Sequence, residues 1–108
     1  MVTRSSDGTD VYRALADPTR RAILSGLLQG EQSVNRIASH FVVSRPAVSK
    51  HLRLLREANL VSEVKRGKER MYALNPEPLR EVDQWLEAYR SMWNRKLLNL
   101  KRHLEENE

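Results

Sequence analysis

The sequence predicts a mainly α-helical domain carrying one small β-hairpin, and three observations lead there. Apolar residues recur at helical spacing over most of the chain, and the period shortens to two only between Val61 and Leu74. A residue suited to capping (Asp17, Ser33 or Ser44) stands ahead of each of the three middle helical runs. At 108 residues and 40% hydrophobic composition, the chain is the size of one domain with a modest core.

Residues 1–9 are polar and are expected to form a flexible leader, with the domain proper spanning 10–108. Asp10 to Ala16 reads as a short helix. Asp17-Pro18 then sets an N-cap beside a first-turn proline for a helix over Thr19 to Leu28. Its apolar side is Ala22, Ile23, Leu27 and Leu28, and Gly30 ends it. Ser33 caps a third helix with Val34, Ile37, Ala38 and Phe41 inward. Val42-Val43 bridges to Ser44, which caps a fourth helix over about residues 44–57. Two helices about three residues apart are the arrangement of a helix-turn-helix.

Beyond Asn59, Val61, Glu63 and Lys65 alternate with Ser62, Val64 and Arg66, and Arg70 to Leu74 is a second extended run. Gly67 eases the tight turn between them, giving a hairpin over about 61–74 that must pack on the helices. Asn75-Pro76-Glu77-Pro78 breaks the strand. The last helix, about 78–105, repeats apolar residues at Leu79, Val82, Leu86, Tyr89, Trp93, Leu97, Leu100 and Leu104, close to a heptad pattern. At roughly 40 Å it outreaches so small a domain, so a face shared between two copies, a homodimer, is expected.

The formal charge of +5 is concentrated. Residues 44–74 hold eight basic and three acidic side chains, whereas the segments before and after nearly balance. That field favours a polyanion. In the fourth helix Val48, Leu52 and Leu55 share one side with Ala47 and Ala58 alongside; Arg45, Pro46, Ser49, Lys50 and Arg53 occupy the other. A helix of this size fits the DNA major groove. Ser44, Arg45, Pro46, Ser49, Lys50 and Arg53 are therefore candidate duplex contacts, with Arg45 suited to guanine. Arg66, Lys68 and Arg70 around the hairpin tip are suited to phosphate or a minor groove. Glu69 is expected to steady an arginine there, and Arg56 to form a surface ion pair. His51 has two readings: a ring packed and hydrogen-bonded against the domain, which its position beside Val48 and Leu55 favours, or a DNA contact.

Other chemistries lack support. Cysteine is absent, no spacing joins a nucleophile to a base, and no glycine-rich phosphate loop occurs. No enzyme activity, cofactor or metal site is expected. No run of about 18 apolar residues could cross a membrane, and the opening MVTRSSDGTD lacks the apolar stretch of a secretory signal. A cytoplasmic setting is expected.

Three segments, LADPTRRAILSGL (Leu15 to Leu27), SRPAVSKHLRLLREANLV (Ser44 to Val61) and RGKERMYALNPEPLREVDQWL (Arg66 to Leu86), resemble in order and spacing the ArsR/SmtB family of bacterial transcriptional repressors. The resemblance implies a winged helix-turn-helix: recognition helix at Ser44–Ala58, wing at Val61–Leu74, and dimerisation through the terminal helices. It further implies a homodimer on double-stranded operator DNA, in the form of an inverted repeat. Metal-sensing members carry a C-x-C pair near the third helix, where this chain reads EQSVNRIASHF. Their second site uses D-x-H and H-x-x-E, but beyond Asp83 this chain has Trp85, Lys96 and Asn99. It is similar to the metal-independent branch, and the sequence names no small-molecule effector. Two other readings stay open: a low-specificity architectural DNA-binding protein, and a metal-responsive repressor using His40, His51 or His103.

Overall fold

Side-chain caps start each helix of the first half. A computed structural model describes residues 10–106; the leader expected over residues 1–9 lies outside them. Asp10, Asp17, Ser33 and Ser44 each have extended backbone, and each accepts the backbone N–H three residues on with its side-chain oxygen. They open α1 (Val11–Leu15), α2 (Pro18–Gly26), α3 (Val34–Ala38) and α4 (Arg45–Glu57). Asn59 ends α4 in left-handed backbone (φ 62°), and the Leu60 N–H reaches back to the Leu55 carbonyl at 2.9 Å. That reversal delivers the chain to the hairpin strands β2 (Val61–Arg66) and β3 (Glu69–Leu74), turned at Gly67 with φ 63°. Pro76 and Pro78 then precede α5 (Leu79–Glu106).

Three expectations need correcting. The second helix ends at Gly26 and tightens into a 3-10 turn over Leu27–Gln29. The narrower turn rotates Leu28 into solvent; Ala22 is exposed too, and Leu24 fills the core beside Ile23 and Leu27. The link between α3 and α4 spans residues 39–44 rather than about three, because the Ser39 hydroxyl donates to the Arg36 carbonyl and closes α3 early. Phe41 on that link is half-buried against the core. Finally, the hairpin is part of a three-stranded antiparallel sheet. A two-residue strand, β1 (Gln32–Ser33), pairs Gln32 with Tyr72 and Ser33 with Met71, giving the order β1-β3-β2.

The core lies between the helices and the inner face of this sheet. Val48, Leu52, Leu55 and Leu60 are wholly buried, among Ile23, Ile37, Val61 and Tyr72. Burying one such leucine favours folding by about 1.5–3 kcal/mol. α5 is different: none of its residues is buried, and it gives the molecule a long axis of 63 Å against 38 and 22 Å across.

Candidate nucleic-acid interface

The packing of α4 decides which side chains it presents. With Val48, Leu52 and Leu55 sealed inward, Arg45, Pro46, Ser49, Lys50 and Arg53 are exposed on the outer side, as the spacing predicts. Together with Arg56, they line a concave surface of about 630 Å³ completed by Arg70 and Tyr72 of β3 and Val34 of α3. Five cations and no carboxylate line it. A smaller hollow of about 230 Å³ runs from Arg45 and Arg70 to Lys68 and Glu69 at the hairpin tip. The sequence-predicted basic residues of helix and hairpin thus share one continuous surface, except Arg66, which lines neither hollow.

Ion pairing divides these cations. Glu63 of β2 accepts from Arg56 at 2.7 Å and from the Tyr72 hydroxyl at 2.9 Å, and lies 3.4 Å from Arg70. Burial first, and then the bond to Glu63, pushes the Tyr72 phenol up from its ordinary range. Glu31, before β1, takes the Arg66 guanidinium through both carboxylate oxygens. The acid steadying a hairpin arginine is therefore Glu31 or Glu63 and not the adjacent Glu69, while Arg56 is paired as its position suggested. Arg45, Lys50, Arg53 and Lys68 have no acidic partner among the described residues, so their charge is fully available to an anion. Exposed pairs like those of Arg66 and Arg70 are screened by solvent and stabilise little, so they exchange readily for phosphate. The Ser44 hydroxyl is occupied as the helix cap, accepting from Ala47 N–H at 3.3 Å.

Other proteins share this chain's sequence pattern and fold. The sequence pattern of the bacterial regulatory protein, arsR family, matches residues 17–63. Transcriptional repressor SdpR of Bacillus subtilis is 38% identical over 77 residues, covering 71% of this chain and 86% of that protein. HTH-type transcriptional regulator Rv2034 of Mycobacterium tuberculosis is 42% identical over 86 residues, covering 80% and 78% respectively. Among solved structures, an ArsR-like transcriptional regulator from Rhodococcus superposes with a TM-score of 0.64 at 37% identity, over 85% of this chain and 87% of that one. The chain belongs to the arsR family. As an arsR-family protein it is a DNA-binding regulator with a winged helix-turn-helix fold, and not an enzyme.

The remaining candidates of this arsR-family regulator fall into two places. His51 is half-buried on α4, its Nδ1 3.2 Å from Nη1 of Arg20 on α2. That is the packed, hydrogen-bonded ring the sequence favoured. On α5, Leu79 and Val82 pack against this chain's own core and Leu86 is half-buried. The outward apolar stretch therefore begins at Trp85 and runs through Tyr89, Met92, Trp93, Leu97, Leu98, Leu100 and Leu104. Trp93 is 58% exposed, Leu97 63% and Leu104 60%. Trp85, where a metal site of the family requires histidine, stacks instead: edge-on to Tyr12 at 6.1 Å and tilted to Tyr89 at 5.4 Å. Among the described residues, no three carboxylate or histidine side chains converge as a metal site would need.

Four participants escaped the sequence reading: Arg20, Glu31, Glu63 and Tyr72. Each acts through a partner at least seven residues away. Only Arg20 carried a signal, its place in the DPTRR run.

Proposed function

We propose that this arsR-family regulator is a homodimeric repressor of the metal-independent branch, acting in the bacterial cytoplasm on an inverted-repeat operator in double-stranded DNA. The observation carrying this reading is the continuous basic surface on which Arg45, Ser49, Lys50, Arg53, Arg70 and Lys68 meet. α4, as recognition helix over about 44–57, enters the major groove with its N-terminal turn foremost. Arg45 there reaches guanine acceptors, and Ser49 a base edge or phosphate. The hairpin, as wing over about 61–74, holds the flanking backbone through Lys68, Arg70 and Arg66, fixing register without reading sequence. The open apolar face of α5 from Trp85 to Leu104 pairs with its counterpart in a second copy. Two recognition helices then stand about one helical turn apart on the duplex. Trp85 seated between Tyr12 and Tyr89 supports a regulator that takes no metal on α5.

The relatives support the direction of control: SdpR is a transcriptional repressor, and a 36% identical protein of Staphylococcus xylosus is an arsenical resistance operon repressor. The test is a binding titration at fixed salt against the DNA upstream of the chain's own gene and a scrambled duplex of equal length. Preference for the upstream duplex by about a thousandfold or more is expected of a specific regulator. Equal affinities would sink the repressor reading in favour of an architectural DNA-binding protein. Unchanged affinity across divalent metals and chelator is the result expected of the metal-independent branch.

A further inference from the structure

Arg20 is the most heavily engaged side chain of α2, and DNA contact does not account for it. Its Nε donates to the Ala14 carbonyl at 2.8 Å and its Nη2 to the Arg13 carbonyl at 3.1 Å, which also accepts the Ala16 N–H, so two arms of the guanidinium hold the end of α1. Its remaining arm, Nη1, lies 3.2 Å from His51 Nδ1 on α4. Its backbone N–H is held by Asp17 at 3.1 Å, so the start of α2 is fixed at the same point. A guanidinium can only donate, so Nδ1 accepts and the neutral ring carries its proton on Nε2. α1 has a second attachment, to α5: the Tyr12 hydroxyl donates to the Glu81 carbonyl at 3.3 Å, and the Tyr12 ring meets Trp85.

We infer that Arg20 is a positioning residue for DNA recognition, fixing α4 through His51 to the short helix that also carries the base of α5. The planar fork suits this role because its donors diverge at fixed angles. The single ammonium of lysine keeps the charge but cannot reach two carbonyls and a ring nitrogen in that geometry. Arg20 thereby sets the angle at which the recognition helix stands relative to the face joining two copies. A few degrees there moves Arg45 and Ser49 relative to base edges while leaving total charge unchanged. Loss of Arg20 therefore reduces discrimination between sequences more than affinity for DNA in general. The inference rests on the reading of α4 as recognition helix.

The test has two arms. In the DNA-free protein, nitrogen-15 imidazole spectra are expected to show His51 as the Nε2–H tautomer; the Nδ1–H form would overturn the contact whatever the DNA results. In the second arm, affinities are measured at fixed salt for a duplex enriched from a random pool by the wild-type protein, and for a scrambled duplex. Arg20→Lys is expected to lower the ratio of the two affinities by about tenfold, with the scrambled duplex changed less than about twofold. His51→Phe should match it, and the double variant should lose no more than either single one, the signature of one shared interaction. His51→Asn, whose side-chain oxygen can replace Nδ1 as acceptor, should hold the ratio within about threefold of wild type. An unchanged ratio in Arg20→Lys, or losses that add in the double variant, would overturn the inference; the His51 variants decide it should Arg20→Lys fail to fold. A wild-type ratio of one defeats the sequence-specific reading instead, and the tautomer measurement then decides the Arg20–His51 contact alone.

Discussion

α4 and α5 are both amphipathic, yet one is finished within the chain and the other is not. The apolar side of α4 disappears entirely, with Val48, Leu52 and Leu55 at 0% exposure, and what it shows to solvent is charge. α5 carries its apolar side outward past Trp85 and buries no residue. The same periodicity serves two ends. Where a sheet and three other helices are in reach, the stripe becomes core and the opposite face is freed for a ligand. Where the helix outruns the domain, the stripe stays open, and it is the surface proposed to meet a second copy.

That contrast can be broken by experiment, most strongly at its centre. In the monomeric Trp93→Asp background, Leu52→Ala is expected to destabilise the fold by about 2–5 kcal/mol in denaturant melts, whereas Leu97→Ala should cost less than about 0.5 kcal/mol. Similar losses at both positions would mean that α5 is not an open face. Trp93→Asp is expected to yield a folded monomer at micromolar concentration in sedimentation; a persistent dimer removes α5 from the proposed interface. Arg45→Ala should lose about 1–3 kcal/mol on the preferred duplex and much less on a scrambled one. Lys68→Ala should weaken both duplexes alike and reduce the slope of log affinity against log salt by about 0.9 for each phosphate it no longer neutralises.

The smallest effect concerns the cap that starts α2. The Arg20 N–H bonded to its carboxylate, opposed by desolvation and aided by the Thr19 N–H and the Arg20 charge, holds Asp17 below the usual carboxylate range. A folded-state value below the unfolded 3.8 means the contribution is complete above that pH and disappears as pH falls through the lowered value. Thermal melts from roughly pH 6 to pH 3 should show the margin of wild type over Asp17→Asn closing only at the acid end. A margin that stays constant would assign the cap's effect to hydrogen bonding without charge.

What could be read in the sequence was local. Asp17, Ser33 and Ser44 announce their helices because a cap and its N–H are three residues apart. The division of α4 followed from its own spacing, and Gly67 marked its turn. The misses were long-range or depended on tertiary fit. Gln32 and Ser33 form a strand only because Tyr72 and Met71 offer an edge some forty residues later. Leu28 leaves the core because a 3-10 turn changes the helical phase at Leu27, while Leu24, inside α2, is buried beside Ile23. Of the candidate interface, the identity of the cations was legible from charge and periodicity. Which of them are held by Glu31 and Glu63 was not, since Glu31 reaches Arg66 of β2 from before β1 and Glu63 reaches Arg56 of α4 from β2.

The short strand β1 has a consequence for the hairpin. Ser33 pairs with Met71 through its backbone while its hydroxyl caps α3, so one residue belongs both to the wing's sheet and to the first helix of the helix-turn-helix. With Glu31 gripping Arg66 just before it, the hairpin is braced at its middle and near its tip by the same short stretch of chain. The wing is thus less a flap than a cantilever. A lengthened loop at residues 29–31 would be felt first at Lys68, out at the hairpin's tip.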